Sequence, residues 1–256
     1  MKFALIGIRY SNYFKSLLEK LIDSGIRPYY VIIEDTDKSN LGNGAYFIDN
    51  MIFETYSYNV WNYDQNHSSC VIESCIRHKI PFFIVCGHNN WRTVKILNNF
   101  TIDILLITEG PLIRGDILYK PQICAMNIHA APLPGYRGNW TTRIALYNDE
   151  PPMVSAHVVT PWIDQGPIIG RREYKIEKGD CLADIDRKAV SAAIELACDT
   201  LRKIQSEGFN AVPQRLWEGK EYKGSFKNGV LQPAMPIELQ EELEKRFLRG
   251  EYGFFS

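Results

Sequence analysis

Residues 2–8 form a nearly continuous apolar run that includes Gly7, and in the next stretch Phe14, Leu17, Leu18, Leu21 and Ile22 recur at intervals of three and four. The first spacing suits a buried strand, the second a helix with one apolar face. Residues 28–33 supply another apolar run, so the chain opens as a βαβ unit with parallel strands. The alternation continues. Residues 81–87 and 102–107 read as buried strands with a helix between 90 and 99, residues 123–129 as a strand, 141–147 as a helix, and 153–160 as a strand with β-branched character. Apolar spacing from Leu182 to Ile204 predicts one long helix with Asp180 as its N-cap. Residues 35–50, rich in Asp, Asn, Ser and Gly, read as loop. Together these elements predict an α/β fold, a doubly wound, mostly parallel Rossmann-like sheet of six or seven strands. The main domain is expected over residues 1–206. Beyond it, Pro213, Pro233 and Pro236 break residues 207–256 into a small appendage of hairpin and helix, a candidate dimerisation segment.

Composition narrows the class. The 256 residues are 45% apolar and 23% charged, an ordinary globular balance. A formal net charge of -1 gives no global field for nucleic acid or an anionic membrane. The first apolar run is too short for a secretory signal, and no apolar stretch approaches the ~20 residues that span a bilayer, so the expected location is cytoplasmic. The six cysteines include no Cys-x-x-Cys pair and read as reduced thiols. His67, Cys70, Cys75 and His78 bunch together, but a helix and its entry account for them better than a zinc site, and no metal is expected.

The chemistry concentrates in Asn127-Ile128-His129-Ala130-Ala131-Pro132-Leu133-Pro134-Gly135-Tyr136-Arg137-Gly138 and, downstream, Ile163-Asp164-Gln165-Gly166-Pro167. On a strand, Asn127 and His129 leave the same face. The Pro- and Gly-rich loop after His129 marks a strand's carboxyl end, where ligands of open α/β sheets bind. There an amide such as Asn127 can hydrogen-bond a developing oxyanion, and the His129 imidazole can take a proton from an attacking amine. Asp164, in a turn beside Gly166 and Pro167, can approach to orient the imidazole or to hold a relay water.

These motifs, with the Gly110-Pro111-Leu112-Ile113-Arg114 loop, resemble the signature of the folate-dependent formyltransferases over roughly residues 1–177. The resemblance implies direct transfer of formyl from 10-formyltetrahydrofolate to a primary amine, without a covalent enzyme intermediate. Asn127, His129 and Asp164 match the family's catalytic residues. By the same resemblance Leu112, Ile113 and Arg114, with a second wall including Trp162 and Ile163, bind the folate. One departure is local: the family usually has Ser-Leu-Leu-Pro after the histidine, whereas this chain has Ala131-Pro132-Leu133-Pro134.

The acceptor is approached by exclusion. Gly7-Ile8-Arg9-Tyr10-Ser11-Asn12 has a single glycine, unlike the phosphate loop of purine-pathway relatives, and no Gly-x-Gly-x-x-Gly fingerprint for NAD follows the first strand. Arg9, Ser11 and Asn12 suit either phosphate contact at the following helix N-terminus or simple helix capping. Gly138 and Asn139 are further candidates for substrate contact, and Trp140, Trp162 or Trp217 for stacking on a base or sugar. The tRNA-acting relatives carry a basic C-terminal barrel for which little chain remains, and the residues after 188 nearly balance in charge. The expectation is therefore a homodimeric enzyme acting on a nucleotide-linked amino sugar, with no nucleic-acid or membrane partner. The alternatives are a formyltransferase for another small amine, such as an amino-acid derivative or glycinamide ribonucleotide, and a non-catalytic folate- or nucleotide-binding module.

Overall fold

The structure, a computed structural model, describes residues 1–35, 70–108, 110, 112–227, 230–232 and 235–255. His67 and all but the first residue of the expected 35–50 loop lie outside the described residues. The strands are β1 (Phe3–Ile8), β2 (Tyr30–Glu34), β3 (Phe82–Val85), β4 (Ile104–Ile107), β5 (Cys124–His129), β6 (Tyr136–Gly138), β7 (Met153–Val158), β8 (Ile168–Glu173), β9 (Lys220–Tyr222), β10 (Ser225–Lys227) and β11 (Val230–Gln232). The helices are α1 (Asn12–Asp23), α2 (Val71–Arg77), α3 (Trp91–Asn99), α4 (Thr141–Tyr147), α5 (Leu182–Glu207) and α6 (Ile237–Arg249). Seven strands make a mostly parallel sheet in the order β3-β2-β1-β4-β5-β7-β8. The α/β class read from the sequence is the one observed. Contacts divide the chain into two compact units, Met1–Met126 and Asn127–Ser256, and the expected boundary at 206/207 falls inside the second.

In the first unit β1 pairs in parallel with β2 and β4, and β2 with β3. These strands are buried almost throughout, which is why they read as unbroken apolar runs rather than alternating ones. α1 buries Phe14, Leu17, Leu18 and Leu21 along one stripe. Ser11 starts this helix, its hydroxyl accepting from the Phe14 amide at 2.9 Å. Gly7 is needed because a Cβ there would overlap the Thr108 hydroxyl and the Phe14 ring.

The second unit is built around Ala131, Tyr136, Ile144, Leu146, Ile185, Leu243, Phe247 and Tyr252. Its core thus takes residues from the tract after His129, from α4 and α5, and from α6, whose Leu243 and Phe247 are fully buried. Phe255 stacks edge-on against Phe247 and Tyr252. β8 runs antiparallel to β7, with a register shift at Ala156/His157. β6 pairs in parallel with β9, Tyr136 opposite Lys220 and Gly138 opposite Tyr222, and the Tyr136 and Tyr222 rings stack at 5.7 Å. The N-cap of α5 is Cys181 rather than Asp180. The Asp184 carboxylate reaches back to the Cys181 amide at 2.9 Å, closing a capping box, while Asp180 accepts from the Glu177 amide one turn earlier.

Candidate active site

β5 delivers His129 at its carboxyl end, almost buried, with Asn127 two residues earlier on the same side and partly exposed. The loop that follows is held at nearly every carbonyl. Thr142 Oγ1 donates to the Ala130 carbonyl at 2.5 Å, and Ser155 Oγ donates to that of Ala131 at 2.8 Å while accepting from the Leu133 amide. Arg171 donates to the Leu133 carbonyl, and the buried Arg137 to those of Pro134, Leu216 and Gly219 at 3.1–3.2 Å. Charged donors on neutral carbonyls are among the stronger hydrogen bonds, so this loop is a rigid frame for the imidazole.

His129 Nε2 lies 2.7 Å from the Tyr136 carbonyl and 3.0 Å from Thr141 Oγ1. A carbonyl only accepts, so Nε2 carries the ring's N–H, and in a neutral ring Nδ1 is the basic nitrogen. Nδ1 faces Asp164 Oδ2 at 3.5 Å. That separation is long for a direct bond but suits a bridging water or a passing amine proton. Asp164 stands in the left-handed region, φ +51°, a conformation that short polar side chains tolerate. Its Oδ2 accepts from the Gly138 amide at 2.8 Å, and Gly166 lies so close to the Val158 carbonyl that no Cβ would fit. Turn and tract are therefore locked together within one unit.

Sequence reasoning missed His157. It lies on β7 two residues after Ser155, on the face turned to the tract, with Nε2 3.5 Å from Asp164 Oδ1. The Asp164 carboxylate thus sits between two imidazoles whose centroids are 6.4 Å apart. The available signal was two polar residues, Ser155 and His157, alternating with the buried Val154 and Ala156. Nδ1 of His157 lies 2.9 Å from the Val158 carbonyl and must donate to it, leaving a lone pair on Nε2. Burial is the largest influence on this ring; opposed by Asp164 and reinforced by His129, it pushes the pKa down to about 4.

This shift has a sign. Between about 4 and the ordinary ~6.5 the unfolded chain binds a proton that the folded one refuses. The resulting stability is complete above ~6.5 and lost as pH falls toward 4, on the order of 3 kcal/mol in all. Urea midpoints measured from pH 7 down to 4.5 are expected to fall more steeply for the wild type than for His157→Gln; parallel curves would contradict the assignment.

The other expected site residues fall as follows. Arg9 is buried and its guanidinium is paired with Asp35, while Ser11 caps α1. Asn12 opens α1 and is exposed. Leu112 is half exposed and Ile113 buried, and the backbone between Leu112 and Arg114 is gripped by Asn89, which donates to the Leu112 carbonyl and accepts from the Arg114 amide, both at 2.7 Å. Trp162 is largely exposed, and Ile163 partly so, in the turn that carries Asp164. Asn139 is exposed, its amide donating to the Tyr222 carbonyl at 3.1 Å. Trp140 and Trp217 are both exposed. Among the described residues no group of three His, Cys, Asp or Glu side chains is disposed to hold a metal, and no helix is long and apolar enough to cross a membrane.

Comparison with known proteins points to formyltransferases. No family model matches the chain. Among curated proteins it is similar to the bifunctional polymyxin resistance protein ArnA of Wigglesworthia glossinidia brevipalpis, 28% identical over 149 residues, which is 56% of this chain and 22% of that one. Methionyl-tRNA formyltransferases also match; for that of Thermotoga sp. the match covers 50% of this chain. The chain spans well under half the length of these curated relatives, 22% and 42%. Among solved structures it resembles the formyltransferase PseJ from Anoxybacillus kamchatkensis, in complex with UDP-4,6-dideoxy-4-formamido-L-AltNAc and tetrahydrofolate, with TM-score 0.52, 18% identity and coverage of 87% and 86% of the two chains. It also resembles an N-formyltransferase from Helicobacter canadensis in complex with folinic acid and dTDP-3-aminofucose, with TM-score 0.59, 16% identity and coverage of 100% and 84%. Glycinamide ribonucleotide transformylase structures match as well. In fold the chain is similar to folate-dependent formyltransferases, and in sequence about half of it is similar to proteins of that kind.

Proposed function

We propose that this protein is an N-formyltransferase that moves formyl from 10-formyltetrahydrofolate to the primary amine of a nucleotide-linked amino sugar. The observation that carries the chemistry is the His129–Asp164 pair at 3.5 Å, held by the Gly138 amide beside the strand-end Asn127. When bound, the folate supplies an activated formyl carbon. The residues of the chain do the rest. The Asn127 amide hydrogen-bonds the formyl oxygen as negative charge gathers on it when the amine attacks. Nδ1 of His129 takes the proton the amine loses as its new C–N bond forms, with Asp164 orienting the ring or holding the relay water, and that proton is returned to the departing folate nitrogen. Asn89's grip on the Leu112–Arg114 backbone gives a preformed edge suited to a flat heterocycle, and we assign folate contacts to Leu112, Ile113, Arg114, Trp162 and Ile163. Gly138, Asn139 and Asn12 are assigned to the acceptor.

The sugar nucleotide is supported by neighbours solved with UDP- and dTDP-linked sugars that cover 87% and 100% of this chain. A homodimer in the cytoplasm is part of the same proposal. Incubation with 10-formyltetrahydrofolate and a panel of dTDP-, UDP- and GDP-linked 3-amino and 4-amino sugars, with glycinamide ribonucleotide alongside, is expected to yield a formylated sugar nucleotide by mass spectrometry. Formylation of glycinamide ribonucleotide alone would replace the acceptor and keep the chemistry; folate binding with no turnover of any amine would leave a binding module.

A further inference from the structure

The Asp164 turn is held from outside its own neighbourhood in the chain. Gln214 donates through Nε2 to two carbonyls, that of Asp164 at 2.8 Å and that of Gly166 at 2.6 Å. Since both partners only accept, the group between them must be the NH2 of the amide, and its two hydrogens match the two carbonyls. Oε1 of the same side chain is buried, with no hydrogen-bond partner among the described residues. Gln214 is itself anchored: two residues earlier Val212 exchanges both backbone hydrogen bonds with Ile168, each at 2.8 Å, where the chain leaves the Asp164 turn and enters β8. The same returning segment reaches the His129 tract, because the Leu216 and Gly219 carbonyls accept from Arg137, and β9 pairs with β6.

We infer that Gln214 is a positioning residue for the reaction, its amide holding the left-handed Asp164 turn so that the carboxylate stays aligned with His129. This rests on the catalytic role proposed for Asp164. The carboxylate's place depends on a backbone conformation disfavoured for a residue with a Cβ, φ +51°, and Gln214 bonds the carbonyls at and beyond that residue. It touches neither reacting group, so its effect belongs to turnover and not to substrate affinity. Residues 207–256 then do more than fill the core of the second unit, since their first few residues complete the catalytic turn.

The test is steady-state kinetics of Gln214→Met, which keeps the side chain's length and removes both donors. Displacement of a catalytic group by about an ångström costs on the order of 100-fold, so kcat is expected to fall roughly 10- to 100-fold with KM for both substrates within about threefold. Gln214→Glu adds a second readout. Its ionised carboxylate would face two carbonyl oxygens, whereas the protonated acid restores one donor, so its kcat relative to wild type is expected to recover as pH falls through the carboxyl range. Arg215→Ala, whose exposed side chain meets only Glu218 among the partners described, serves as the control with unchanged kcat. A kcat within twofold of wild type in Gln214→Met, a loss confined to KM, or a Gln214→Glu deficit that ignores pH would each overturn the inference. Asp164→Asn separates it from its parent. If that variant loses turnover and the Gln214 variants do not, only the positioning role fails; if Asp164→Asn keeps wild-type turnover, the catalytic assignment fails and takes this one with it.

Discussion

His129→Ala is expected to lower turnover about a thousandfold or more while KM for the folate changes little, because a well-placed acid–base group contributes ~10²–10⁴ in rate. Among the described residues it is the His129 imidazole that lies between the tract and Asp164 Oδ2, while the neighbouring His157 faces the other carboxylate oxygen. Asp164→Ala should fall in the same range, and the double variant should fall little further, because residues acting as one unit are strongly non-additive. Additive losses would mean that the two groups serve separate steps. Circular dichroism and folinic acid binding check that the variants are folded. Near wild-type turnover in both single variants would remove the proposed roles altogether.

The second large effect is structural. Gly138→Ala is expected to destabilise the protein by about 2–4 kcal/mol and also to cut turnover by roughly a hundredfold. Gly138 has φ +108°, and a Cβ there would overlap the Tyr222 carbonyl across the β6–β9 pairing. Relieving the overlap means separating those strands, and the amide that moves is the one donating to Asp164. Gly135→Ala, three residues earlier, is the comparison: its Cβ would meet only the Pro132 carbonyl at 3.4 Å, and its cost should stay within about 0.5 kcal/mol. Urea denaturation separates the two, and equal midpoints would show that the β6–β9 contact is not tight in solution.

Some elements were plain in the chain and others were not. α4 was expected at 141–147 and is found there, and β3, α3 and β5 fall within a few residues of the predicted bounds, because each carries its own periodicity or a complete apolar run. β8 escaped because Arg171, Arg172 and Glu173 give half of it the look of a loop; it is an edge strand, and its polarity is that of an exposed edge. β6 and β9 are three residues each and pair across more than eighty positions, so neither holds a local signal. Asp180 was a reasonable N-cap by residue type, but Cys181 won the position through the reciprocal bond from Asp184.

The same division runs through the site. Sequence alone put Asn127 and His129 on one face of a strand end and singled out Asp164 in a glycine- and proline-marked turn, because strand alternation and turn chemistry are local and leave their mark within a few residues. It also settled the α/β class. Only the tertiary structure decided what those groups touch. It put Nδ1 of His129 against Asp164, set His157 on the far side of the same carboxylate, turned Arg9 onto Asp35, and brought Gln214 back across fifty residues to hold the turn. These are long-range hydrogen bonds whose partners are fixed by packing, and no local periodicity encodes them.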